Sequence, residues 1–166
     1  GAQAPQAGCG PRQKIAGKRP NEPAAMQLMR KITHLVVHCT ATPEGRAQTV
    51  ADIRKWHKAK GWSDIGYHWV VLLDGTIAPG RPEAIPGAHV AGHNATTIGV
   101  VYVGGIDKVM FTPKDTRNAA QKKSLLLLLA KLKAKYPGAQ ILGHRDFPKV
   151  AKACPSFDAR KEYAGI

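Results

Sequence analysis

The side chains best suited to chemistry lie in two separate stretches of the sequence. The stretch GHRDFPKVAKACPSF, residues 143–157, carries His144, Lys152 and Cys154 on a short segment interrupted by prolines. A further histidine, His38, lies near the end of the apolar run KITHLVVHC, residues 31–39. Imidazole and thiolate suit zinc, and a catalytic zinc site uses three protein ligands with one position open for water. The pattern predicts such a site, with His38, His144 and Cys154 as its ligands.

A cysteine nucleophile is the alternative use of the same residues. Cys154 activated by His144 would form a Cys–His pair, but His38 then has no role. Cys39 belongs to neither site, because strand periodicity points it away from His38 and it is expected to pack as a small core residue. The chain has three cysteines, an odd number that does not favour a disulfide framework.

Other polar side chains are candidates for supporting roles. Lys152, two residues before Cys154, could stabilise the oxyanion that forms when water attacks a carbonyl. Tyr67 could donate a hydrogen bond to a transition state, and His89 and His93 could line a polar groove. A solvated lysine, a half-buried tyrosine and exposed loop histidines are the ordinary roles of these residue types, so the residues alone leave both interpretations open.

Strands have to bring these residues together. Short β-branched runs and the hairpin signal Asp74-Gly75 predict five strands. They cover residues 31–39, 67–73, 76–78, 98–103 and 140–142. The strand ends at His38 and Leu142 lead directly into the candidate ligands, and ligands often collect at the ends of such strands.

Three helices are predicted between and after these strands. Thr49 and Asp52 form a capping-box pattern for the first, which Gly61 ends. Thr112-Pro113 with Asp115 predicts the start of the longest helix, which runs to about Tyr136. The first helix is expected to place Ile53, Trp56 and His57 on its inner face. The run Leu125–Leu129 predicts that the long helix is buried on several sides. A short final helix is predicted over residues 156–163.

The alternation of strands and helices predicts a single domain of the α/β (α+β) class over residues 31–166. Its central sheet is expected to be mixed and mostly buried, with helices flanking it. Residues 1–30 are basic and rich in Gly, Pro and Ala, and are expected to form a flexible tail. They lack the apolar stretch of a signal peptide, and no run in the chain is long enough to span a membrane.

The formal net charge of +14 predicts attraction to polyanions of any sequence. No recognised nucleic-acid-binding motif accompanies it, so no specific nucleic-acid partner is expected. We interpret the charge, including that of the tail, as affinity for an anionic bacterial envelope. The chain is expected to be a monomer.

Four stretches together resemble a known family. VVHCTAT (residues 36–42), DIRKWHKAKGWSDIGYHWVVLLDGTI (52–77), GAHVAGHNATTIGVVYVGG (87–105) and GHRDF…KACPSFD (143–158) are similar to the zinc-dependent N-acetylmuramoyl-L-alanine amidases of type 2. The resemblance covers roughly residues 31–160. It is closest to the small phage lysozyme-amidases, which share the fold of peptidoglycan recognition proteins.

The resemblance implies a role for each matching position. One Zn²⁺ per chain would be held by His38, His144 and Cys154, with Tyr67 and Lys152 required for catalysis and His89 and Asn94 lining the substrate groove. The implied substrate is bacterial peptidoglycan, cut at the amide between the lactyl group of N-acetylmuramic acid and L-alanine of the stem peptide. Zinc would lower the pKa of a bound water and polarise the scissile carbonyl.

Two other classes of function stay open beside this one. A peptidoglycan-binding module on the same fold would bind without cutting, although family members that only bind tend to lack the cysteine ligand. A regulator that binds protein or nucleic acid is the other. The small size and the absence of a signal peptide favour a phage endolysin, which would stay in the host cytoplasm until a holin releases it to the cell wall.

Overall fold

The computed structural model describes residues 30–166, so the predicted tail lies outside the described residues except for Arg30. The strands in this part of the chain are β1 (His34–Cys39), β2 (Thr42–Pro43), β3 (Trp69–Val71), β4 (Ile77–Pro79), β5 (Thr97–Tyr102), β6 (Gly105–Ile106) and β7 (Gln140–Gly143). The α-helices are α1 (Val50–Ala59), α2 (Ala119–Lys135) and α3 (Ala159–Glu162). Two 3₁₀ turns cover Asn94–Thr96 and His144–Asp146.

Five strands form one mixed sheet in the order β4–β3–β5–β1–β7. Within this sheet, as described for residues 30–166, β3 and β4 pair antiparallel, β3 runs parallel to β5, and β1 runs parallel to both of its neighbours, β5 and β7. The short strands β2 and β6 pair beside this sheet. The single mixed-sheet domain predicted from the sequence is therefore confirmed.

The two faces of the sheet carry different parts of the molecule, because successive side chains of a strand point to opposite faces. Leu35 and Val37 of β1 belong to the core that includes Leu125 and Leu129 of α2. Val36, between them, packs on the other face with Val90 and Phe147. His38 shares that second face, so the candidate site lies on the opposite side of the sheet from α2.

Helix α1 begins as predicted. Thr49 Oγ1 accepts from the backbone N–H of Asp52, and the Asp52 carboxylate accepts from the N–H of Thr49. Ile53 and His57 are buried, which confirms the inner face at those positions. Trp56 is 38% exposed, so its prediction was wrong: the helix turns this side chain toward an open cleft and not toward the core.

Helix α2 begins later than predicted. Its N-cap is Asn118, which exchanges hydrogen bonds with Gln121 in a capping box. The preceding segment pairs with the β6 region instead of forming helix: Thr116 Oγ1 accepts from the N–H of Gly105, and Pro113 forms a bridge to Ile106. The start predicted near Thr112 was therefore wrong.

The leucine run of α2 is not buried on several sides. Leu125, Leu128 and Leu129 are buried, but Leu126 and Leu127 are 48% and 50% exposed. A helix that packs on one face of a sheet buries positions three and four residues apart and leaves those between them outside. None of the helices in residues 30–166 is long and apolar enough to cross a membrane.

Candidate metal centre and active-site cleft

The register of two parallel strands places His38 and His144 side by side. Val37 of β1 lies opposite Gly143, the last residue of β7. His38 is the next residue of β1, His144 directly follows β7 as the first residue of a 3₁₀ turn, and their ring centroids are 4.7 Å apart. Two histidines that are 106 positions apart in sequence thus meet at one edge of the sheet.

Cys154 reaches the same edge from a loop, and backbone contacts fix it there. The N–H of Cys39 donates to Cys154 Sγ at 3.3 Å, and the N–H of Arg145 donates to the Cys154 carbonyl at 2.8 Å. The buried hydroxyl of Tyr102 donates to the carbonyl of Pro155 at 2.6 Å. The loop is therefore tied to β1, to the turn after β7 and to β5.

The three candidate ligands fit the coordination of a zinc ion. One donor atom from each of His38, His144 and Cys154 lies within 4.8 Å of the other two, and Cys154 Sγ is 3.8 Å from His38 Nδ1. Tetrahedral zinc with two nitrogens and one sulfur holds its ligand atoms about 3.3–3.6 Å apart. A shift of roughly 1 Å would bring the donors into coordination, and the ligand types are those of catalytic zinc sites.

The surroundings keep both imidazoles neutral, as metal ligation requires. Burial, with neighbouring His89 and His144, holds the pKa of His38 well below its usual value. Burial and nearby Lys152 also lower the pKa of His144. The hydrogen bond with Cys39 and burial raise the pKa of Cys154, and a divalent cation would act in the opposite sense by favouring the thiolate.

A cleft of about 300 Å³ opens beside the candidate ligands. Tyr67 and Lys152 both line it, and the Tyr67 ring centroid is 5.1 Å from that of His38. The cleft continues into a groove of about 550 Å³, which also borders Lys152. Among the described residues that line the cleft and the groove there is no Asp or Glu.

Comparison with known proteins identifies the family. The model of the N-acetylmuramoyl-L-alanine amidase family matches residues 28–157. The chain belongs to this family.

Individual relatives of this amidase agree with that assignment. An endolysin of Klebsiella phage KP32 is 42% identical over 132 residues, which are 80% of this chain and 85% of the relative. An endolysin of Escherichia phage T7 is 44% identical over 132 residues, 76% of this chain and 82% of the relative. Among solved structures, the N-acetylmuramoyl-L-alanine amidase LysC from Clostridium intestinale superposes with a TM-score of 0.67 at 31% identity, covering 80% of this chain and 82% of LysC.

The fold of this amidase brings all seven predicted site residues to the cleft and the groove that continues from it. His38, His144 and Cys154 meet at one point, and Tyr67, Lys152 and His89 line the adjoining cleft. Asn94 lines the groove, and both His89 and Asn94 precede β5 in the chain. Their predicted contact with substrate stays a prediction, because much of what these two side chains do in the described structure is internal.

His89 is buried, and its ring is bonded within the protein at both nitrogens. His89 Nδ1 lies 2.9 Å from His38 Nε2, and His89 Nε2 lies 3.2 Å from Thr97 Oγ1. Asn94 Oδ1 accepts from the backbone N–H groups of His89 and Val90, each at 2.9 Å. Asn94 thus shapes the loop that carries His89.

His57 has no chemical role in the prediction from the sequence, yet it lines the cleft of the amidase. Its Nδ1 accepts from the N–H of Gly66 at 2.8 Å, and its ring centroid is 5.3 Å from that of Tyr67. Burial, with Lys60 and Arg81 nearby, lowers the pKa of His57 to about 4. The spacing of four residues from Ile53 placed His57 on the inner face of α1, but no sequence signal linked that face to Tyr67.

Proposed function

We propose that this amidase cleaves the amide between the lactyl group of N-acetylmuramic acid and L-alanine of the stem peptide, using one zinc ion. Family membership makes the chain a peptidoglycan hydrolase; the proposal adds the metal and the roles of individual residues. Its main support is the group of three donors, His38, His144 and Cys154, within 4.8 Å of one another beside a cleft. When bound there, zinc lowers the pKa of a water molecule and polarises a carbonyl.

Tyr67 is proposed as a neutral hydrogen-bond donor to the carbonyl oxygen as negative charge develops on it. Burial, together with the neighbouring thiols of Cys154 and Cys39, raises the pKa of Tyr67. The phenol therefore keeps its proton at neutral pH. A preorganised donor stabilises an oxyanion more than a donor in bulk water does.

Lys152 is proposed as the cationic partner of the same oxyanion. It lines both the cleft and the groove that continues from it, and its charge contributes to the lowered pKa of His144. The described lining of the cleft has no carboxylate that would pair with the ammonium group. The positive charge of Lys152 is therefore available to a substrate whose carbonyl becomes anionic.

We place the reaction in the breakdown of a bacterial cell wall at the end of a phage infection. The relatives from phages KP32 and T7 are endolysins and match most of this chain. The net charge of +14 favours approach to an anionic envelope. Three parts of this proposal rest on the sequence: release by a holin, a monomeric state, and a contribution of the basic tail to binding of the envelope.

A digest of purified peptidoglycan tests the reaction. We expect free stem peptides with a new L-alanine amino terminus in the mass spectrum, their loss on chelation and their return on addition of zinc. Cleavage between sugars, or intact muropeptides, would contradict an amidase. A wall that is bound and left uncut would favour a recognition module, and cleavage that survives complete chelation would remove the metal from the mechanism.

Two neighbouring cysteines provide a matched pair of variants for the metal. Cys154→Ser should lose both activity and stoichiometric zinc, measured by elemental analysis of the full chain. Cys39→Ala, which changes the adjacent buried thiol, should keep one zinc per chain. If both variants keep zinc, the ligand set is wrong. If Cys154→Ser loses activity but keeps zinc, the Cys–His nucleophile becomes the better interpretation.

A further inference from the structure

Four groups behind the candidate metal centre form one directed chain of hydrogen bonds. It runs from His38 through His89 and Thr97 to the backbone carbonyl of His93. Thr97 Oγ1 lies 2.9 Å from that carbonyl oxygen, and the two ring contacts of His89 measure 2.9 and 3.2 Å. Both histidine rings and Thr97 are buried.

The His93 carbonyl, at the end of this chain of hydrogen bonds, determines which group donates and which accepts in each bond. A carbonyl oxygen only accepts, so the Thr97 hydroxyl donates to His93 and is free to accept from His89 Nε2–H. A neutral His89 that donates from Nε2 presents an unprotonated Nδ1, which accepts from His38 Nε2–H. His38 is then left with an unprotonated Nδ1, the atom that lies 3.8 Å from Cys154 Sγ.

The loop is built to hold the His89 ring in this position. A β-carbon at Gly99 would lie 2.8 Å from ring atoms of His89, and one at Gly87 would lie 2.8 Å from its Cδ2. Asn94 Oδ1 also accepts from the backbone N–H of His89 at 2.9 Å.

We infer that His89 and Thr97 are positioning residues that fix the tautomer of His38 and aim its Nδ1 lone pair at the metal. A metal-ligating histidine commonly donates its second N–H to a partner that orients the ring and raises its basicity. Here that partner is another histidine, itself oriented by a threonine on β5. This inference rests on the proposed zinc site and gives His89 a role other than direct contact with substrate.

Nitrogen NMR of the histidine rings tests the tautomer without any metal. In the metal-free full chain at neutral pH, His38 should show a protonated Nε2 and an unprotonated Nδ1. Thr97→Val keeps the shape of the strand residue and removes the hydroxyl, so His38 and His89 should show mixed tautomers. Thr97→Ser keeps the hydroxyl and should restore the wild-type spectrum. A His38 ring protonated on Nδ1 in the wild-type chain would overturn the inference.

Zinc affinity, measured by competition with a chromophoric chelator, tests the consequence. Loss of a partner behind a metal ligand typically weakens binding by about 10- to 100-fold, and we expect a loss in that range for Thr97→Val and for Gly99→Ala, with Thr97→Ser close to wild type. Ile98→Val, a buried change on the neighbouring position of β5, is the control for packing and should leave the affinity unchanged.

Equal affinities in Thr97→Val and the wild type would contradict the positioning role. Absence of zinc binding in the wild type would instead refute the proposed metal site, while the NMR result would still test the hydrogen-bond chain.

Discussion

Tyr67 and Lys152 act at the same oxyanion in the proposed mechanism but differ in how they depend on their surroundings. Tyr67 is half-buried and held protonated by burial, whereas Lys152 is exposed on the loop that leads to Cys154. Neither side chain is among the three candidate ligands. Replacing either one should therefore slow the reaction and leave the metal in place.

Tyr67→Phe is predicted to lower kcat by roughly 100- to 1000-fold, the usual cost of removing one oxyanion donor. Lys152→Met should lower it by a similar factor, and Lys152→Arg should recover part of the activity because the positive charge is kept. The measurement is the rate of release of stem peptides from soluble peptidoglycan fragments, with zinc content determined on the same samples. Zinc loss in Tyr67→Phe would show that the phenol supports the metal site and not the transition state.

At the scale of the elements, the three candidate ligands are held in two different ways. His38 lies next to the end of β1 and His144 directly follows the parallel strand β7, so the register of the sheet sets their separation. Cys154 lies on a loop, and its position depends on individual contacts such as the hydrogen bond from Tyr102 to Pro155. The position of Cys154 is therefore the part of the site most sensitive to single substitutions.

Tyr102→Phe is predicted to lower the free energy of unfolding by about 1–2 kcal/mol and to weaken zinc binding as well. The change keeps the ring in the core and leaves the buried carbonyl of Pro155 without its donor. Tyr163→Phe is the matched control, because the buried Tyr163 hydroxyl has its hydrogen bond with Arg117 and the change likewise keeps the ring. Denaturant titration and chelator competition give the two quantities. Equal zinc affinity in the two variants would show that the Tyr102 contact does not position Cys154.

The same difference between strands and loops decides what the sequence could predict. The strands leading into His38 and His144 follow from β-branched runs, and strand periodicity separates Cys39 from His38. The pairing of His38 with His89 has no local signal, because it depends on how the loop before β5 folds over the sheet. The start of α2 was missed for a related reason: Thr112-Pro113 fits a helix start locally, but Thr116 and Pro113 bond to the β6 segment.

At the scale of the whole molecule, the site face of the sheet is dense in buried neutral histidines. His38, His57, His68 and His89 are all buried. His68 is not one of the candidate ligands: its Nδ1 accepts from the N–H of Gly99 at 2.9 Å, and its Nε2–H donates to the carbonyl of Ile85 at 2.8 Å. Protonation of Nδ1 would break the first of these bonds. Acid should therefore destabilise the fold even when no metal is bound.

The pH range of this effect follows from His68. Burial lowers the pKa of His68 to about 4 in the folded chain, against about 6.5 when the chain is unfolded. Between these values the unfolded chain binds a proton that the folded chain does not, so stability is fully present above about pH 6.5 and falls as the pH decreases to about 4. His68 alone should contribute a slope of up to about 1.4 kcal/mol per pH unit.

His68→Gln tests this account on the whole chain in the presence of chelator. A glutamine offers an acceptor and a donor but does not titrate, so the variant should be less stable than the wild type at neutral pH because its amide fits the two partners less well. Its free energy of unfolding should then change less steeply with pH between about 6.5 and 4. Urea titrations across that range give both slopes. Parallel curves for variant and wild type would mean that His68 gains its proton equally in the folded and unfolded chain, and the acid sensitivity would then have to come from the other buried histidines.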